Sequence, residues 1–338
     1  MHDTLHQWAR EHRLVPAQTQ QLWQLAGLHQ PASDLQHHLR ASLALVAALL
    51  LGAGLIFWVA ANWETQSHTF KLHLLQAAVA LPLVAALLMP AARHTVRTAL
   101  VLLGTLALGG LLAYIGITYQ TGADYWQLFA IWAALALPAA LVLRSDWLWA
   151  LWLLIVATAI GSWSGQSLVN QFANLLNWRH FQNLITPWLW LSVFLWPMLI
   201  GQLGAVRDGQ GQRTRPVISL RLVALLALSA WATHAIVFLV SEDVYGHTAW
   251  INYGYLINTA FVVFAGWLGW RSRWRDLVVL GMALLALNIL VLFLLGKWMF
   301  LHIQLKDSTG WLLFALIAAA VVAMSGRWLY QQQRQEQI

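Results

Sequence analysis

Between Ala41 and Tyr330 the chain is a succession of ten apolar stretches, near 41–61, 72–90, 98–118, 126–143, 147–161, 184–204, 219–240, 249–270, 277–296 and 311–330. A helix needs about 20 such residues to cross roughly 30 Å of hydrocarbon. All ten reach or approach that length, with 147–161 the shortest. In lipid every backbone N–H and C=O must be satisfied within the protein, which leaves helices and closed barrels. Barrel strands alternate apolar and polar residues, whereas these stretches are continuously apolar. The pattern predicts an all-α polytopic transmembrane bundle of about ten spans.

Composition removes the other broad classes. The chain has 338 residues, of which 19 are Lys or Arg and 12 are Asp or Glu, so 9% are charged. A soluble domain carries about a quarter. A soluble enzyme, a nucleic-acid-binding domain and a disordered chain are therefore excluded, and no nucleic acid partner is expected. The net charge of +7 reads instead as topology. With the N-terminus cytoplasmic and connections assigned alternately, only Lys71, Arg179, Lys297 and Lys306 fall outside, while the other 15 cations, all Arg, fall inside. Short Arg-rich loops resist translocation, so this bias predicts an even span count with both termini cytoplasmic. Removing one span would scramble every later loop.

There is no cysteine, which excludes disulfides and thiolate chemistry. Trp is abundant, at 22 residues. Trp63, Trp126, Trp147, Trp188, Trp250, Trp270, Trp298, Trp311 and Trp328 sit near segment ends, as an interfacial aromatic belt requires. Stacking on a cofactor or sugar is the alternative use.

Residues 1–40 are polar and predict a small cytosolic helical hairpin. Leu5, Trp8 and His12 share one face of a first helix; Pro16 opens a second, with Leu22, Trp23 and Leu25 apolar and Gly27 as its stop. Ser33 and Gln36 have capping-box spacing for a helix that runs into the first span. A DNA-reading helix-turn-helix is the alternative, but the piece lacks a basic recognition helix. No cleavable leader is expected, so the first span serves as a signal anchor. Residues 331–338 form a polar cytosolic tail. Between spans five and six, Leu168, Phe172, Leu175, Leu176 and Phe181 outline an amphipathic helix in the outer interface, over roughly 162–183.

Three pieces carry a family resemblance. Gly52 to Trp63, ending Ala-Ala-Asn-Trp, closes the first span. Ile117 to Trp132, containing Tyr-Gln-Thr-Gly-Ala-Asp, joins the third and fourth. Leu143-Arg144-Ser145 follows the fourth. With the N-terminal hairpin, these resemble the bacterial membrane-protein family known as domain of unknown function 2157, best over residues 1–160. The resemblance implies a multi-pass protein of the bacterial cytoplasmic (inner) membrane and a neighbouring membrane protein as partner. It implies no reaction. The two five-span halves cross in opposite senses, as inverted-repeat transporters do, but no residue-level match links them.

Sites for chemistry are few. There is no His-Glu-x-x-His, Gly-x-Ser-x-Gly or phosphate-binding Gly-rich loop, and the N-terminal histidines lack metal spacing. No cofactor or metal is expected. Gly52 and Gly54 read as helix packing, and Gly104, Gly109, Gly110 and Gly116 make the third span the expected centre of the bundle. No Asp, Glu, Lys or Arg lies deep in a span, which argues against a pump with a buried carboxylate. The outer rim holds Glu64, Asp124, Glu242, Asp243 and Asp307. Asn62 and Glu64 follow the first span directly, and Tyr119, Gln120 and Asp124 occupy a tight turn after the Gly-rich third span. His234 is deep in the seventh, with Thr233, Asn258 or Asn288 as expected hydrogen-bond partners. These six residues, Asn62, Glu64, Tyr119, Gln120, Asp124 and His234, form the candidate substrate or proton site.

The expected function is a transporter-like or lipid-handling permease with an outward-facing polar site. A non-catalytic scaffold or assembly subunit acting with another membrane protein is the alternative. An enzyme is not expected, because no acid–base pair is recognisable.

Overall fold

The computed structural model describes residues 15, 18, 32–61, 67–90, 93–119, 122, 124–164, 185–207, 211–244, 253–271, 275–303 and 308–335; the side chains of 32–42, 55–56, 59–60, 241–244 and 301–302 are not among those described. Apart from two single positions, the expected hairpin lies outside them up to residue 31, as does the interfacial stretch from 165 to 184.

Ten α-helices follow one another among the described residues: α1 (Ala32–Ala61), α2 (His68–Leu88), α3 (His94–Thr118), α4 (Tyr125–Leu143), α5 (Asp146–Trp163), α6 (Thr186–Gln202), α7 (Val217–Val244), α8 (Tyr253–Trp270), α9 (Leu277–Lys297) and α10 (Ser308–Gln335). Each overlaps one of the ten apolar stretches. A single π-helical turn, Trp298–His302, continues α9. Among the described residues there is no strand, only an isolated antiparallel bridge between Arg207 and Arg213. The protein is an all-helical membrane bundle. Seven helices, α2 to α5 with α7, α9 and α10, are long and apolar enough to cross a bilayer. Helix α6 has 17 residues, and α8 is diluted by Tyr253, Tyr255 and Asn258.

Local chemistry sets the helix ends. Ser67 accepts the Phe70 N–H at 3.3 Å and starts α2 a full turn earlier than the apolar pattern does. Arg144 takes a left-handed conformation (φ 51°) to stop α4, and α5 restarts two residues later. Asp276 caps α9 by accepting the N–H groups of Val278 (2.9 Å) and Val279 (3.2 Å). Pro82, Pro138 and Pro197 lie inside α2, α4 and α6. Neighbouring helices make such interruptions tolerable in a membrane.

The helices pack as two groups that share α5. In the first, α3 lies against α1, α2 and α4; in the second, α7 lies against α6, α8 and α9, and α5 touches both hubs. The expectation that the third span is the centre is corrected by α7. Within its apolar window 72% of residues are buried, against 39% for α3. The cause is Ala224, Ala227, Ala230 and Ala235, all fully covered, whose short side chains let neighbours close in all round. Glycine does permit close approach, with Gly52 of α1 against Leu106 of α3 and Gly104 of α3 against Leu83 of α2. Helix α10 packs mainly on α9 and the π turn among the described helices.

Tryptophan divides into two populations. Trp147, Trp188, Trp270, Trp298, Trp311 and Trp328 are exposed near helix ends, as a belt requires. Trp149, Trp190 and Trp231 are instead buried in the core. Four indole N–H groups bond main-chain carbonyls of neighbouring segments: Trp132 to Thr105 (2.9 Å), Trp149 to Ala205 (3.1 Å), Trp152 to Ala133 (2.9 Å) and Trp231 to Pro187 (3.1 Å). In lipid, each satisfies its own donor while tying two segments together.

Candidate functional site

The turn between α3 and α4 brings together two of the expected residues. Tyr119 ends α3, its N–H bonded to the Ile115 carbonyl at 3.0 Å, and its ring is exposed. Asp124 is the N-cap of α4 in extended backbone (φ −63°, ψ 151°) and is exposed. Gly122 lies between them at φ +65°, where a side chain would be strained. Asp at an N-cap ordinarily accepts an N–H of the first turn. Here the Asp124 carboxylate makes no capping bond.

What the carboxylate lines instead is a groove of about 800 Å³ between the last turns of α3 and the first turns of α4. Its walls are Leu112, Ala113, Ile115, Gly116, Ile117, Leu128, Phe129 and Ile131, with Gly122, Asp124 and Tyr125 at the turn. Among the described residues, Asp124 is the one charged group in the lining. The bare face of Gly116 leaves the Leu128 methyl 3.7 Å from where a Cβ would stand, so the floor is shallow and apolar.

Next to the groove wall, α4 is locked onto α3 by a specific contact. Trp132 of α4 lies flat on Gly109 of α3, where a Cβ would come within 2.4 Å of the indole. From there its Nε1 reaches the Thr105 carbonyl, one turn earlier on the same helix. Thr105 turns its own hydroxyl onto the Val101 carbonyl at 2.7 Å, leaving that approach clear. Phe129 stacks on Trp132 with centroids 6.0 Å apart. From Asp124 to Trp132 is eight residues, about 12 Å of helix.

His234 belongs to the other helix group. It is buried on α7, edge-on to Phe238 with centroids 6.2 Å apart. Its expected partners bond elsewhere. Thr233 donates to Ser229 O at 2.8 Å, Asn258 donates to Gly254 O at 2.7 Å, and Asn288 accepts from Ser325 at 3.0 Å. Asn62, Glu64 and Gln120 lie outside the described residues.

Two placements escaped the sequence reading. Lys71 was expected as a loop cation, yet it is 2% exposed. It lies in the first turn of α2 beside the Leu75–Tyr114 cluster. There Tyr114 donates to the His68 carbonyl at 2.9 Å and meets the His68 ring at 3.3 Å. The signal was the spacing of His68, Lys71 and Leu75, three and four apart, which puts them on one helix face. The second is Asp146, whose carboxylate accepts Ile218 N (2.7 Å), Ser219 N (3.2 Å) and the Ser219 hydroxyl (2.5 Å), capping α7 from α5. Among the described residues, no three His, Asp or Glu side chains come together as a metal site needs.

No curated protein and no solved structure matches this chain. A family model does, over residues 6–149, and it is described as predicted membrane protein (DUF2157). That span runs through α1 to α4, holds the whole groove and the Trp132 lock, and ends in the first turn of α5. Over residues 6–149 the chain is therefore similar to the DUF2157 family of predicted membrane proteins, and the second helix group lies beyond the match.

Proposed function

We propose that this protein is a non-enzymatic, lipid-handling permease of the bacterial inner membrane, with its site at the outward end of α3 and α4. The observation that carries this reading is the apolar groove of about 800 Å³ that ends at a carboxylate without a capping bond. Ligand sites are mostly apolar clefts with a few placed polar groups, within roughly 300–1,000 Å³. Exposed Ile117 and Ile131 on the groove walls leave it open sideways, toward where acyl chains lie. Asn62, Glu64 and Gln120 would join Tyr119 and Asp124 at the same membrane edge, since they too border the outward ends of α1 and α3.

The test is transbilayer movement of a fluorescent phospholipid in proteoliposomes, read by dithionite quenching. Protein should accelerate it. Leu128→Trp, which fills the groove, and the Glu64→Ala/Asp124→Ala pair should return it to the rate of empty vesicles. Acceleration that survives both variants would remove the site from the mechanism.

A second reading, a scaffold bound to another membrane protein, is favoured by one observation. Helix α10 exposes Leu312, Leu316 and Met324 and, among the described helices, packs mainly on α9 and the π turn. A stoichiometric partner retained through purification in mild detergent, and lost on substituting Leu316 and Met324 with Trp, would support it.

A further inference from the structure

We infer that the α3–α4 groove takes a single-chain amphiphile with a cationic headgroup, its tail on Leu128 and its head between Asp124 and Tyr125. This rests on the lipid-handling reading and adds the charge of the ligand. Four features converge. The groove is apolar along its length, and its α4 wall runs seven residues from Asp124 to Ile131, about 10 Å of helix, so it suits a hydrocarbon chain and not a large head. Among the described residues, the one charged group in its lining is anionic. That carboxylate forgoes the N–H bonds its N-cap position offers. Beside it, the Tyr125 ring is 85% exposed and lines the same end, and an aromatic face adds attraction for an ammonium.

Buried Lys71 does not compete. It shares the face of α2 with Leu75, which packs with Tyr114 of α3, whereas the groove is on the Gly116 side. Tyr114 and Gly116 are two residues apart, about 200° around the helix. An anionic head would meet Asp124 with repulsion; a neutral head would leave the carboxylate unused.

The experiment uses the full chain in phosphatidylcholine nanodiscs, doped in parallel with octadecylamine, octadecanol and octadecanoic acid, each carrying a diazirine in its tail. After photolysis, adducts are mapped by peptide mass spectrometry. The amine should label residues 112–131 about fivefold more than the alcohol, the gain of a partly exposed ion pair (~1 kcal/mol). The acid should label least. Asp124→Asn should bring the amine down to the alcohol, and Tyr125→Ala should lower it in part. Leu128→Trp, or Leu112→Trp if that variant is not monodisperse, should block all three chains. Equal labelling by all three heads, still blocked by the Trp variant, would overturn the cationic headgroup and leave the groove standing. Labelling indifferent to the Trp variants would remove the groove reading with it.

Discussion

The carboxylate of Asp146, at the first residue of α5, is bonded to both the backbone N–H and the hydroxyl of Ser219, at the first turn of α7. One helix thus supplies the cap of another, 73 residues away in sequence. The same corner is held by Arg207 N–H on the Arg144 carbonyl (2.8 Å) and by the Trp149 indole on Ala205. Asp146→Ala strips α7 of these acceptors and should cost about 2 kcal/mol. Asp146→Asn keeps acceptor oxygen and should cost less. Thermal unfolding in detergent should therefore rank Tm as native, Asn, then Ala; an Ala variant as stable as the native chain would contradict the cap.

The Trp132 lock between α3 and α4 separates a steric from a polar contribution. Gly109→Ala drives a methyl into the Trp132 indole and should cost about 1–3 kcal/mol. Trp132→Phe removes a hydrogen bond to a carbonyl that keeps its place in α3, together with part of a half-buried ring, and should cost about 1 kcal/mol. The larger fall in Tm is thus expected for the smaller change in side-chain volume.

Arg221 and Asp276 form an ion pair at 3.0 Å, with side-chain exposures of 46% and 9%. Solvent screens such a pair, so Arg221→Ala should change stability by less than about 1 kcal/mol. Asp276 also caps α9, so Asp276→Ala should cost about 1 kcal/mol more than its partner. Equal effects from the two substitutions would assign the whole contribution to the ion pair.

Because the chain has no native cysteine, single introduced thiols report exposure without background. Lys71→Cys should resist a membrane-impermeant maleimide, since position 71 is covered. Tyr119→Cys and Asp124→Cys should react from the periplasmic side. Arg144→Cys and Arg207→Cys should react from the cytoplasmic side alone, as the Arg distribution predicts. Labelling of 124 and 207 from the same side would reverse the proposed threading.

The helices were legible because hydrocarbon demands long apolar runs, and each described helix overlaps one. Which helix sits at the centre was not. Glycines drew attention to α3, but burial depends on how many sides are covered, and the alanines of α7 achieve that with less backbone exposure. The surplus of Trp pointed to an interface, whereas Trp149 and Trp231 are core residues whose ring nitrogens find carbonyls on neighbouring segments. Sequence carries no record of which carbonyl faces which indole. Tyr119 and Asp124 stood out because they interrupt two apolar runs. The groove beside them did not, since it depends on Gly116 and Leu128 facing each other across two helices. Lys71 was misplaced because an apolar window starts where charge ends, one turn after Ser67 begins the helix.

Trp152 joins the two helix groups through a single side chain. Its indole N–H holds Ala133 of α4, and its ring packs against Trp149 and, across to α6, Trp196, with centroids 5.7 Å and 5.4 Å apart. The contact crosses α5 from one group to the other. A swing of one half against the other, the commonest way for a two-part carrier to alternate, would first have to part those rings. Motion that serves this molecule is therefore expected at its edges, where α4 meets the turn at Gly122, with the paired indoles acting as the fixed axle.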